Sequence, residues 1–308
     1  SKWWDPAKFA TEMHKRYAQQ FEVPAFRKLV ELIPTNQVLG VWDDHDFAWD
    51  DCFGTDTGYD MPAKKKIATA MYHHYFAALN QRPLPATLPR LKIPDLANPP
   101  GWDRVVYGAT TIGPLRVLLC DGRSYRQKIT SRDKTESLLG EDQEKWLFGE
   151  LARSSGPCML VTGSTMTAGG NQSWDFYQTF FKDRFLPAVR GKTVIFMAGD
   201  GHKNRLPPRI SDGWPVEAVS SAAVLTWHEP RYGVLEVSNV EVNLFLYKSG
   251  KVQYTGQLNL KTGDYKTSME ALLKAVPKPS VQQAQTQRRN ALRRLHAIKM
   301  VGPGRKRR

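Results

Sequence analysis

Two short apolar runs that stop abruptly at clusters of acids and histidine constrain this chain more than any other feature. Gln37–Trp42 ends in Asp43-Asp44-His45-Asp46, and Thr193–Ala198 ends in Gly199-Asp200-Gly201-His202. A brief apolar run bounded by polar turns is the pattern of a buried strand. Helical patterns lie between and around these runs. Asp5 to Gln20 carries Phe9, Met13 and Tyr17 at helical spacing, behind an Asp5-Pro6 pair that suits an N-cap and first helical position. Val23–Leu32 predicts a second helix closed by Pro34, Pro62–Asn80 a longer one, and Pro83–Pro100 a proline-rich loop. Val105–Ile112 and Leu115–Cys120 flank Gly113-Pro114 as a hairpin. Further on come a helix over Glu141–Arg153, a strand over Met159–Thr162 and a helix over Ser173–Val189. Strands are then expected at Ala222–Trp227, Gly233–Val237, Val242–Leu246 and Val252–Leu258. Mixed strands and helices with several buried runs give an α/β class.

Charge divides the chain. Of the net +14, ten positive charges fall in residues 277–308, where there is no Asp or Glu, which leaves +4 on residues 1–276. The expected organisation is therefore a domain over 1–276 and a basic Gln/Arg-rich extension over 277–308. Within the extension, Gln287–Met300 has the spacing of a basic helix with Leu292, Leu295 and Ile298 on one side. Such a segment suits a nucleic acid or an acidic protein as partner. The whole chain, 41% hydrophobic, has the makings of a packed core, which excludes a disordered, collagen-like or coiled-coil chain. Cys52, Cys120 and Cys158 are too few and too scattered for a disulfide framework or a zinc ribbon. No run of about 18 apolar residues offers a membrane-spanning helix. The first residue is serine, so a preceding segment is expected to have been removed, processed or left out of this sequence.

The chemistry concentrates at the two strand ends, the places where open α/β sheets hold ligands. Three acids around one histidine in four residues repel one another unless a cation joins them. Asp200 and His202 alternate across a glycine, so both side chains can reach one metal from a tight turn. Oxygen and imidazole donors suit zinc, iron, manganese or magnesium without choosing between them. His14, His73, His74 and His296 lie on predicted helices and read as packing or surface residues, and His228 as structural.

The order of motifs resembles the PhoD-like alkaline phosphatases, a branch of the calcineurin-like metallophosphoesterases. The resemblance runs from about Trp3 to about Val237. It rests on Val41-Trp42-Asp43-Asp44-His45-Asp46-Phe47, Leu119-Cys120-Asp121-Gly122-Arg123-Ser124-Tyr125-Arg126, Leu139-Gly140-Glu141-Asp142-Gln143-Glu144-Lys145-Trp146-Leu147, Ser173-Trp174-Asp175-Phe176-Tyr177, Gly199-Asp200-Gly201-His202 and Val219-Ser220-Ser221, in that order. It implies a β-sandwich flanked by helices and a dinuclear metal site that hydrolyses phosphate mono- or diesters. By the resemblance, Asp44, Asp200 and His202 are metal-site residues, and Asp50 stands where the family has an asparagine ligand. His45 would be the proton donor or phosphate contact, and Asp46 or Asp50 would assist. Arg123 and Arg126 would contact phosphate oxygens, because a guanidinium fork fits them, or form a structural salt bridge behind the site. The metals implied are iron, calcium, zinc, manganese or magnesium.

The sequence also departs from the family. Two metal-binding segments that precede the Asp-Asp-His run there have no counterpart, because only about forty residues come before Asp43. The expected domain is thus N-terminally incomplete. Three readings follow: a longer protein that is an active hydrolase, a second polypeptide that supplies the missing half, or a non-catalytic, phosphatase-derived subunit of a large assembly, such as a mitochondrial ribosome or respiratory complex, anchored by its basic tail. The last reading places the protein in the mitochondrial matrix or another intracellular compartment, whereas a removed N-terminal signal would make it secreted.

Overall fold

A computed structural model of the chain describes residues 2–131, 134–167, 170–211, 213–220 and 230–268. The predicted basic helix, the extension over 277–308, the strand at Ala222–Trp227, Ser221, His228 and His296 lie outside the described residues.

The hairpin forms as the sequence predicts: strands β1 (Gly108–Ile112) and β2 (Leu115–Leu119) are antiparallel across Gly113, whose φ of +55° suits a residue without a Cβ. Strands β3 (Cys158–Thr162), β4 (Val194–Ala198) and β5 (Val216–Val219) then add in parallel, giving a five-stranded sheet in the order β1-β2-β3-β4-β5. Parallel neighbours need long crossovers. The β2–β3 crossover contains a helix at Glu141–Arg153, as predicted. A second, antiparallel sheet follows, with β6 (Arg231–Val237), β7 (Glu241–Lys248), β8 (Lys251–Asn259) and β9 (Tyr265–Thr267) in chain order.

The two sheets pack face to face. Leu115, Val117, Ile195, Val216 and Ala218 of the first meet Val242, Leu244, Leu246 and Leu258 of the second in one apolar cluster. Alternation puts the other residues of the first sheet, among them Leu118, Leu160, Val194 and Phe196, against Leu147, Leu151, Phe180, Phe181 and Phe185 of the crossovers. The result is a β-sandwich covered on one side by helices, in agreement with the expected class. A third core joins helices α1 (Pro6–Phe21), α2 (Pro24–Glu31) and α4 (Met61–Leu79) through Phe9, Met13, Tyr17, Val30, Ile67 and Tyr75. Asp5 caps α1 by accepting the Lys8 amide at 2.9 Å, with Pro6 at the first position, as its sequence dictates. None of the described helices is long and apolar enough to cross a membrane.

Two expectations fail. Gln37–Trp42 is not a strand; it runs outside both sheets. Its backbone polar groups are met by side chains of the α4 region instead. The Asn80 carboxamide accepts from Val38 N at 3.1 Å and donates to Val38 O at 2.9 Å, and the Tyr72 hydroxyl donates to Gly40 O. Ser173–Val189 is not one regular helix. A 3-10 turn at Trp174–Phe176 leads to a π-helix at Thr179–Phe185 and a single α-turn, α6, at Leu186–Val189. Pro187 has no N–H to continue an α-helical ladder, and the Leu186 amide bonds Phe181 O, five residues back.

Candidate functional site

The carboxyl ends of β2, β3 and β4 lie side by side, because these strands are parallel neighbours. They deliver Asp121 to Arg126, Gly163 to Thr165, and Gly199 to His202 to one edge of the sheet. The Asp43-Asp44-His45-Asp46 run comes from outside the sheet and forms a short helix, α3 (Asp44–Phe47), against that edge. The Trp42 indole ties the two together by donating to Asp121 Oδ1 at 2.6 Å.

Asp121 organises the loop that follows β2. Its Oδ1 also accepts the amides of Arg123 and Ser124, each at 2.9 Å, and its own amide donates to Gln143 Oε1 at 2.7 Å. This folds Asp121-Gly122-Arg123-Ser124 into a tight, fully buried turn and aims the arginines inward. Both arginine side chains are entirely buried. Arg123 Nε donates to Asp43 Oδ1 at 2.7 Å, with its Nη2 2.6 Å from the same oxygen, and Asp44 Oδ2 lies 3.9 Å from Nη2. Burial works against the Arg123 charge, but Asp43 and Asp44 more than offset it and hold the guanidinium above its ordinary value.

Arg126 sits deeper. Its Nε donates to Gly122 O at 2.7 Å, its Nη1 to Gln172 Oε1 at 2.6 Å, and its Nη2 to Ser164 Oγ at 2.6 Å. The same Gln172 oxygen accepts Arg123 Nη1 at 2.8 Å, so one carboxamide bridges the two cations. No carboxylate among the described residues lies within ion-pair distance of Arg126. Burial, with Arg123 beside it, pulls its value down to about 10.

In front of this pair stand the acids. Asp44 is buried, and its two carboxylate oxygens accept the amides of His45 and Asp51, each at 2.8 Å. His45 and Asp50 are exposed, with His45 Nε2 3.4 Å from Asp50 Oδ1. Donor atoms of Asp44, His45 and Asp50 all lie within 4.8 Å of one another. Asp200 is half-buried, and burial together with the nearby Asp43 carboxylate pushes it up to about 6, against the pull of Arg123 and Arg126. His202 is exposed on the same loop, at a φ of +46°.

The structure therefore gathers Asp44, His45 and Asp50, and sets Asp200 in the field of Asp43 and Asp44. It does not bring Asp200 or His202 into the three-residue donor group. The gathered donors fit a divalent cation: two carboxylates and an imidazole are a hard-to-borderline set, and an ionised carboxylate bonded to one amide per oxygen still has lone pairs to offer.

Three residues of this region escape a reading of the sequence. Asp43, not singled out from its neighbour, is the carboxylate that grips Arg123, and a Cβ on Gly163 would come within 2.5 Å of its Cγ. Gln172 and Ser164 hold the arginines from segments far away in sequence. Only the Asp-Asp duplication hinted at the first; nothing local marks the other two.

No curated protein gave a significant match to the chain. The family model described as PhoD-like phosphatase matches residues 7–254, a span that takes in α1, both Asp/His clusters and the paired arginines. The chain belongs to the PhoD-like phosphatase family.

Proposed function

We propose that this protein is a metal-dependent phosphoesterase that cleaves phosphate mono- or diesters. Asp44 and Asp50 hold one cation, with His45 beside it, and Asp200 and His202 contribute to a second. The observation that carries the reading is the convergence of the Asp44, His45 and Asp50 donor atoms within 4.8 Å, in front of buried arginines, in a chain of this family. Metal ions bound there would polarise the phosphoryl oxygens and lower the pKa of a bound water.

The chain's own residues have separable tasks. Asp43 fixes Arg123, and Arg123 in turn fixes Asp43 and Asp44 in place, so the acids keep their geometry without waiting for substrate. The paired guanidinium charges favour a phosphate anion in front of them. Arg126 is a positioning residue: enclosed on all sides, it locks the loops after β2 and β3 together through Gly122 and Ser164. His45 is the exposed imidazole at the site, placed to give a proton to the leaving oxygen.

The test is elemental analysis of the purified protein combined with turnover of p-nitrophenyl phosphate and bis(p-nitrophenyl) phosphate. Bound divalent or trivalent metal, activity on at least one ester, and loss of both on exhaustive chelation are expected. Absence of metal together with absence of turnover after metal loading would overturn the proposal.

A further inference from the structure

A second concave site shares no residue with the first. A cavity of about 530 Å³ opens between α1, α4 and the proline-rich segment at residues 83–100, a size suited to a small organic ligand. Its floor is apolar, formed by Ala10, Met71, Leu91, Ile93 and Leu96. Its rim is basic, formed by Lys15, Arg90 and Lys92, with His14 between rim and floor. No carboxylate lines it. Among the described residues, none of the three rim cations has an acid within ion-pair distance.

Two further observations point to a missing occupant. His14 Nδ1 is buried and has no hydrogen-bond partner among the described residues, a state that native polar groups seldom keep. The local field is also unrelieved: burial, Arg90 and His74 all press His14 toward its neutral form, and only Glu22 opposes them.

The wall that carries Arg90 and Lys92 is preformed. Six prolines fall in residues 83–100, and the segment is pinned by Arg27 Nη1 to Pro85 O at 2.8 Å, His74 Nε2 to Pro89 O at 2.5 Å, and Lys66 Nζ to Ala97 O at 2.9 Å. The cavity is therefore built into the fold before any ligand arrives.

We infer that this cavity binds an amphipathic anion, with an apolar chain on the Met71–Leu91–Ile93–Leu96 floor and a carboxylate or phosphate head between Lys15, Arg90 and Lys92. Charge complementarity selects the head, because none of the three cations has an acid within ion-pair distance among the described residues. The floor selects the tail, because its side chains are apolar and the lining hydroxyl of Thr11 already donates to Ala7 O at 3.1 Å. This inference stands apart from the phosphoesterase reading and does not depend on it.

Calorimetric titration of the full chain with decanoate and with decylphosphonate, both below their micellar concentrations, tests it. One saturable site per chain is expected for at least one of them, weakened at least tenfold by Arg90→Glu and by Lys92→Glu, and narrowed or closed by Ala7→Trp at the exposed edge. Binding of decanoate alone assigns a carboxylate head, and binding of decylphosphonate alone a phosphate head. The inference fails if neither binds saturably, if neutral decanol binds as tightly, or if both charge reversals leave the affinity unchanged while far-ultraviolet circular dichroism shows them folded.

Discussion

Asp43 and Asp44 are adjacent, identical in chemistry and different in their tasks. Asp43 neutralises a guanidinium that has no exposed atom, while Asp44 spends its oxygens on two amides and keeps lone pairs toward His45 and Asp50. Removing the first leaves only Asp44, 3.9 Å away, to oppose a buried cation, which costs far more than the pair itself contributes. Asp43→Ala is expected to destabilise the fold by about 3 kcal/mol, read as a lower urea midpoint at constant slope; a loss below about 1 kcal/mol would mean that Gln172 and water carry Arg123 without it. His45 is the opposite case, since its side chain is 61% exposed. His45→Ala should leave stability within about 0.5 kcal/mol of the parent and lower phosphoester turnover by roughly a hundredfold or more. Unchanged kcat in that variant would remove His45 from the proposed proton transfer.

Among the elements, most of the regular ones were legible in the sequence, β5 and β9 excepted, and the irregular ones carry the site. β1 to β4 and the helix at Glu141–Arg153 follow from local pattern alone, because Gly113-Pro114 dictates a turn and the crossover helix alternates apolar and charged faces. The Gln37–Trp42 run misleads because apolar, aromatic residues next to an acidic turn look alike whether or not a strand lies beside them. What decides is whether a neighbour offers backbone partners, and here Asn80 and Tyr72 offer side chains instead. Ser173–Val189 misleads because spacing registers Phe180, Phe181 and Phe185 as a helical face but not the gap that Pro187 leaves in the ladder. At the site, Asp44, His45 and Asp50 were readable because they are close in sequence, whereas the Gln172 bridge exists only through tertiary folding. The Asn80 clamp gives a prediction at this scale. Asn80→Ala removes two bonds to Val38 and should cost about 1–2 kcal/mol. Its more telling effect is local: amide exchange should accelerate across residues 38–47 and not in β2 to β4. Uniform acceleration would show that the clamp supports the whole fold instead of the segment that carries the Asp/His cluster.

At the scale of the molecule, a sandwich of a mixed and an antiparallel sheet presents its catalytic candidates at one edge, and the family match over residues 7–254 covers that edge entirely. Most of the net charge falls in another part of the sequence: ten of the net +14 belong to residues 277–308. Truncation before Pro277 is expected to reduce retention on an immobilised polyanion sharply, with a smaller salt dependence, and to leave the melting temperature of the body unchanged. Equal retention would mean that the body, not the extension, carries the polyanion contact. The body does contain a charge whose effect reaches beyond its neighbours. Arg126 is sealed from solvent, has no acid within ion-pair distance among the described residues, and with its value near 10 stays cationic throughout the neutral range. Water cannot rearrange around it, and its field is weakened less than that of any surface lysine. The edge of the sheet therefore behaves like a permanently polarised plate. The buried guanidinium is its fixed positive layer behind the acids, set when the chain folds, and neither buffer pH in the neutral range nor moderate salt should erase that layer.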